Sequence, residues 1–121
     1  MGLTSSTHSS ERGTEGMRNR NVIRDSILTE LPEDFVGLWW IPSRLRDEFG
    51  ISDPDELRRK SLLVAASVLA ESEVVFGQFS RGEFCHWPET GDDAVRRIER
   101  EWRELGHEPD IGDIGWFDLK R

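Results

Sequence analysis

The sequence predicts an α+β fold of about four helices plus a β-hairpin. Three observations carry that expectation. A helical pattern with a clear start signal runs from Pro54-Asp55-Glu56-Leu57 to Ala70. Two short β-rich runs follow, Val74–Phe79 and Phe84–Trp87, joined by the polar turn Ser80-Arg81-Gly82-Glu83. A second strongly amphipathic stretch then spans Gly91 to Leu105.

Residues 1–16 hold seven Ser or Thr and no periodic apolar positions, so they read as a disordered tail. Residues 17–121 read as a single domain, and Met17 is an alternative start. From Arg18 to Leu31, Ile23, Ile27 and Leu31 recur every four residues, with Val22 and Leu28 beside them, which is the spacing of an amphipathic helix. Pro32 ends it, because proline disfavours the helical conformation of the residue before it. Glu33 and Asp34 open the next apolar segment, Phe35–Ile41, and acids in a first turn favour helix. Pro42 either kinks that helix or opens a new one at its first position. Leu45 and Phe49 lie four apart, and Gly50 is a natural C-terminal cap.

Asp53 is placed to cap the third helix, with Pro54 in its first turn and Glu56 three residues beyond the cap. Leu57, Leu62, Ala65, Val68 and Leu69 form its apolar face, and Ala65, Ala66, Ser67 and Ala70 permit a close helix neighbour. In the hairpin, Gly82 supplies the positive φ that a tight turn requires. Thr90 is placed to cap the last helix with Asp93 three residues on. Ala94, Val95, Ile98, Trp102 and Leu105 form its stripe, and Gly106 stops it. Phe76, Phe79, Phe84 and Trp87 are expected to pack, at least in part, against that stripe. Residues 110–119 are apolar enough to dock, either as a strand beside the hairpin or as a turn of helix, and the conformation of 107–121 stays open.

A chain of 121 residues can bury a modest core without staples, and five Trp and six Phe supply large apolar area. One cysteine, Cys85, rules out an intramolecular disulfide and any cysteine-rich metal site. Residues 1–16 are not a secretory signal, and no run approaches the roughly 18 apolar residues of a membrane helix, so the expectation is a cytoplasmic protein without membrane contact. The net charge of −8 repels a nucleic-acid backbone at long range.

The helix Pro42–Gly50, the helix Pro54–Glu71 and the hairpin Val74–Trp87 together resemble the second helix, third helix and wing of a winged-helix domain. The runs Val74-Val75-Phe76-Gly77-Gln78-Phe79, Phe84-Cys85-His86-Trp87-Pro88, Ile98 to Gly106 and Gly112-Asp113-Ile114-Gly115-Trp116-Phe117 also resemble a group of small uncharacterised actinobacterial proteins. The resemblance covers roughly residues 33–119. It implies a winged-helix-like core and brings no activity with it. In a winged helix, the helix before the wing enters the major groove, so Arg58, Arg59, Lys60 and Arg81 are the candidate DNA contacts. Asp53, Asp55, Glu56 and Glu83 offset those charges, and a solvated, ion-paired helix start accounts for the same residues.

The sequence carries no catalytic set and calls for no cofactor or metal. Cys85 and His86 are adjacent in a strand, so they point to opposite faces and form no dyad. Cys85 reads as a small buried hydrophobe, and His107 as an imidazole at a helix C-terminus. The spacing of His86, His107 and Glu108 or Asp110 does not demand a metal. Ser43, Ser52 and Ser61 lack a nucleophile elbow, and Gly112-x-x-Gly115 lacks the Lys-Ser/Thr of a phosphate loop. Trp39 and Trp40 are the candidate protein contact, with at least one ring expected in the core. The leading expectation is therefore a non-enzymatic, acidic protein–protein interaction module, of the regulatory or toxin-neutralising type. The alternative is a winged-helix DNA-binding transcriptional regulator. The expected partner is another protein, and no oligomeric state is singled out.

Overall fold

The four-residue spacing of Ile23 and Ile27 does become one face of a helix, with Leu31 in the turn just beyond it. In the computed structural model, which describes Arg18 and residues 20–120, helix α1 covers residues 20–30, and all three side chains are fully buried. The expected tail, residues 1–16, and the alternative start at Met17 lie outside the described residues.

The chain then departs from expectation. Glu33 and Asp34 do not open a helix. Val36–Gly37 form strand β1, paired antiparallel with Phe117 and Trp116 near the far end of the chain. A distant backbone partner overrides the local helical preference. Helix α2, Trp40–Phe49, starts later, with Pro42 as its third residue. Pro42 neither kinks nor opens the helix: amides in the first turn have no intrahelical acceptor, so the missing N–H costs nothing there. Gly50, at φ 70°, caps the helix as expected.

Helix α3, Pro54–Leu69, follows its start signal closely. The Asp53 carboxylate accepts the Glu56 N–H at 2.9 Å, and Pro54 is the first helical residue. Strands β2, Val74–Ser80, and β3, Glu83–His86, form the hairpin. Its two-residue loop has Arg81 at φ 53° and Gly82 at φ 81°, the pair of positive φ values of a type I′ turn. Helix α4, Gly91–Leu105, has the expected bounds and buries Ala94, Ile98 and Trp102. One detail differs: Thr90 stands at the N-cap but its hydroxyl makes no capping bond. Asp92 and Asp93 in the first turn instead carry negative charge at the positive end of the helix dipole.

Strand β4, Trp116–Leu119, resolves the segment left open. It is a strand and lies in the sheet interior, giving the order β1-β4-β2-β3 with every neighbouring pair antiparallel. The result is an α+β architecture: among the described residues, four helices and one four-stranded antiparallel sheet.

Alternation divides the sheet side chains between two faces. Val74 and Phe76 of β2 face the helices with Phe117 of β4. Phe76 meets Phe117 edge-on at 4.9 Å and Trp87 at 4.7 Å. Val64, Ala65 and Val68 of α3 and Ile98 and Trp102 of α4 complete this cluster. The Arg97 guanidinium lies 3.9 Å from the Trp87 ring and bonds Glu101 and Glu89, fastening α4 over the end of the hairpin. The Glu101 bond above all raises the Arg97 pKa. The Glu89 carboxyl is lowered, first by its own backbone N–H and then by Arg97.

Two predictions follow from the packing. Phe117 is 0 % exposed on an interior strand. Phe117→Ala is expected to destabilise by about 3–5 kcal/mol in urea denaturation, a large part of the total for a domain of this size. Ser61 is also 0 % exposed, and its hydroxyl has no partner among the described residues. Ser61→Ala removes that orphan and improves helix propensity, so the midpoint is expected to rise by about 1 kcal/mol equivalent.

Candidate functional site

The same alternation builds a second aromatic group on the opposite face of the sheet. Phe79, three residues beyond Phe76, points away from the core, as does its register partner Phe84. Trp116 of β4 shares this face beside Gly77. Gly77 cannot be replaced without cost, since a Cβ there would fall 2.3 Å from the Cys85 carbonyl oxygen. Phe35, from the segment before β1, folds onto the face, 4.9 Å from Phe79 and 5.0 Å from Phe84. Phe79 also meets Trp116 edge-on at 5.7 Å. Each such pair contributes about 0.5–1.5 kcal/mol beyond area burial, which holds the rings in fixed places. Phe79 nevertheless remains 44 % exposed.

The expected packing of the hairpin aromatics against α4 is corrected for two of the four. Phe76 and Trp87 are in the core; Phe79 and Phe84 are on the other face. Cys85 is corrected too. It is exposed, because β3 is an edge strand and the part of β2 opposite it, from Gln78 onward, has left the core. His86 is exposed as well.

The aromatic face continues into a groove of about 750 Å³ that Phe35 and Trp116 also line. The candidate pair Trp39 and Trp40 is here, and both rings are half-buried. Trp40 packs against the core, and the Arg44 guanidinium sits 4.4 Å above its ring. Trp39 lies against the Gly37 backbone, where a Cβ would come within 2.4 Å of the indole. Its buried N–H has no acceptor among the described residues. Asp25, Glu30 and Asp34 add carboxylates to the same walls. Arg24 holds Asp25 at 3.0 Å, and Asp34 accepts the Phe35 N–H at 2.8 Å. Glu30 has no side-chain partner among the described residues.

The candidate DNA contacts lie on two elements, three on α3 and one at the hairpin tip. Arg58 pairs with Asp55 and Lys60 with Glu56 on the first turns of α3. Arg58 and Arg59 line a seam between α3 and α4 together with Leu62, Leu63, Val95 and Glu99. Arg81 stands at the exposed hairpin tip, two residues before Glu83, the first residue of β3. Arg59 and Arg81 make no ion pair with the described residues. Among the described residues no group of His, Cys, Asp and Glu is arranged to hold a metal ion, and no helix is long and apolar enough to cross a membrane.

Sequence reasoning missed Phe35, Phe79, Trp116, Glu30 and Asp34 as members of one surface. The parity of positions 76 and 79 was a usable signal for Phe79. Phe35 and Trp116 are brought near each other by the β1–β4 pairing, which no local pattern announces.

Comparison of the chain with protein-family models, with curated proteins and with solved structures found no match.

Proposed function

We propose that this chain is a cytoplasmic, non-enzymatic, acidic protein–protein interaction module of the regulatory or toxin-neutralising type, docking its partner through the outer aromatic face. The observation that carries this reading is Phe79: a large ring, 44 % exposed, steadied by Phe35, Phe84 and Trp116. A pre-positioned aromatic loses little side-chain freedom on binding, and such residues dominate interface energetics. Its continuity with the Trp39–Trp40 groove extends the surface.

The core is winged-helix-like in this reading. The order α1, β1, α2, α3, β2, β3 follows that of a winged helix, with the departure that β4 lies between β1 and the hairpin. The rival, a winged-helix DNA-binding regulator, has Arg59 and Arg81 in its favour. Arg81 in particular occupies left-handed backbone, which costs an L-residue roughly 1–2 kcal/mol. Against it stand the ion pairs of Arg58 and Lys60, and Leu63, which is 50 % exposed on the helix that would enter the groove.

Affinity capture from the native host's lysate, wild type beside Phe79→Ser, tests the docking face. A partner retained by the wild type and reduced at least about tenfold by the variant is expected, the loss of an aromatic anchor being worth more than 1 kcal/mol. Recovery of no partner, or of partners indifferent to Phe79→Ser with the variant still folded by circular dichroism, would overturn the reading. Duplex DNA is expected not to be retained at low ionic strength. Retention that falls steeply with salt, and with Arg58→Ala plus Arg59→Ala, moves the assignment to the rival.

A further inference from the structure

We infer that the groove beside Trp116 receives arginine or lysine side chains from a basic segment of the partner protein. The inference rests on the interaction reading above and names the chemistry of that partner. Three observations point the same way.

The first is charge. The groove carries the carboxylates of Asp25, Glu30 and Asp34; Arg24 pairs with Asp25, and among the described residues that line the groove the one cation is Arg44. That cation is already spent: it bonds Glu48 and lies over the Trp40 ring. Among the described residues Glu30 has no side-chain partner, and the Asp34 side chain accepts only a neighbouring backbone N–H.

The second is the aromatic floor. A guanidinium over an indole is already seen twice in this chain, Arg44 on Trp40 and Arg97 on Trp87. Trp116 lines the groove half-buried with no cation of this chain over its ring among the described residues. An indole face beside carboxylates attracts a cation through its quadrupole and through ordinary Coulomb forces together. Carboxylates that still have lone pairs to offer favour a guanidinium or ammonium, which donates N–H bonds, over a quaternary ammonium, which cannot.

The third is the position of Glu30. It is the last residue of α1, at the negative end of the helix dipole, and the last turn, Ile27-Leu28-Thr29-Glu30, holds no basic residue to offset it. A carboxylate there opposes helix stability. A partner's cation would relieve that conflict.

Fluorescence anisotropy with a labelled hexa-arginine peptide, and a hexa-glutamate peptide of the same length, tests the inference on the full chain at low ionic strength. Hexa-arginine is expected to bind and hexa-glutamate not. Glu30→Gln plus Asp34→Asn is expected to weaken hexa-arginine at least about tenfold, by loss of two charge-assisted bonds. Glu71→Gln plus Glu104→Gln changes the net charge equally at exposed positions outside the groove. It is expected to weaken binding less than about twofold, the residual effect of net charge. Trp116→Leu, which preserves an apolar contact for Phe79, is expected to weaken it roughly three- to tenfold. Glu30→Gln alone is expected to raise the thermal midpoint while lowering affinity, a combination that a merely structural carboxylate would not produce.

Absence of hexa-arginine binding overturns the inference, as does equal weakening by the two double variants, which would mean attraction to net charge alone. If either occurs while a lysate partner is still lost on Phe79→Ser, the partner's assigned chemistry falls and the interaction reading stands. If the lysate experiment fails as well, both fall.

Discussion

The placement of β4 is the constraint on which the rest of the molecule depends. β1 is only two residues long and the hairpin overhangs the core, so neither forms a sheet with the other unless β4 lies between them. Phe117 is the reason β4 stays there. It is wholly buried and meets Phe76 edge-on, while its backbone pairs with Val36 on one side and Phe76 on the other. The approach requires small residues on both sides. A Cβ on Gly115 would fall 2.4 Å from the Gly77 carbonyl oxygen, so any larger residue there would push the strands apart. Ile114, just before, accepts positive φ at 68°, and the Gln78 side chain donates to its carbonyl at 2.8 Å. That combination of strain and anchoring marks a turn whose geometry is dictated by packing on either side of it.

What could be read along the sequence was local. The bounds of α4 follow from acids in its first turn, an apolar stripe and a terminating glycine that all agree. The start of α3 follows from Asp53 and Pro54, and the hairpin from Arg81-Gly82. What could not be read depends on residues far apart. Val36 and Gly37 are too few to signal a strand, and acids before them signalled a helix. Cys85 was assigned by residue type, whereas its exposure follows from membership of an edge strand beyond the helical layer. The candidate surface was half legible for the same reason. Trp39 and Trp40 stood out as a pair, but the groove they share with Phe35, Trp116 and Glu30 exists only once β1 has met β4.

A single rule, the alternation of side chains along a strand, divides the aromatic residues into two populations with different tasks. Phe76, Phe117 and Trp87 exclude water from the helical layer. Phe35, Phe79, Phe84 and Trp116 use similar edge-on geometry to hold apolar area where solvent reaches it. Charge is divided as well. Much of the surface charge of α3 and α4 is matched within the helices, as in Arg58–Asp55, Lys60–Glu56, Arg97–Glu101 and Arg103–Glu99. The exposed pairs among them add little stability, with a median near 0–1 kcal/mol, but together the pairs leave these helices electrostatically quiet. The acids near the aromatic groove are less fully matched, so negative charge stands beside exposed apolar surface there.

The interior position of β4 also bears on how the molecule is made. Synthesis is vectorial, and Trp116–Leu119 follow every other described element in the chain. Until they emerge from the ribosome, β1 has no neighbour in the sheet, and the hairpin presents the open edge of β2 with Phe76 beside it. A nascent chain held in that state offers unpaired strand edges and apolar rings to other chains.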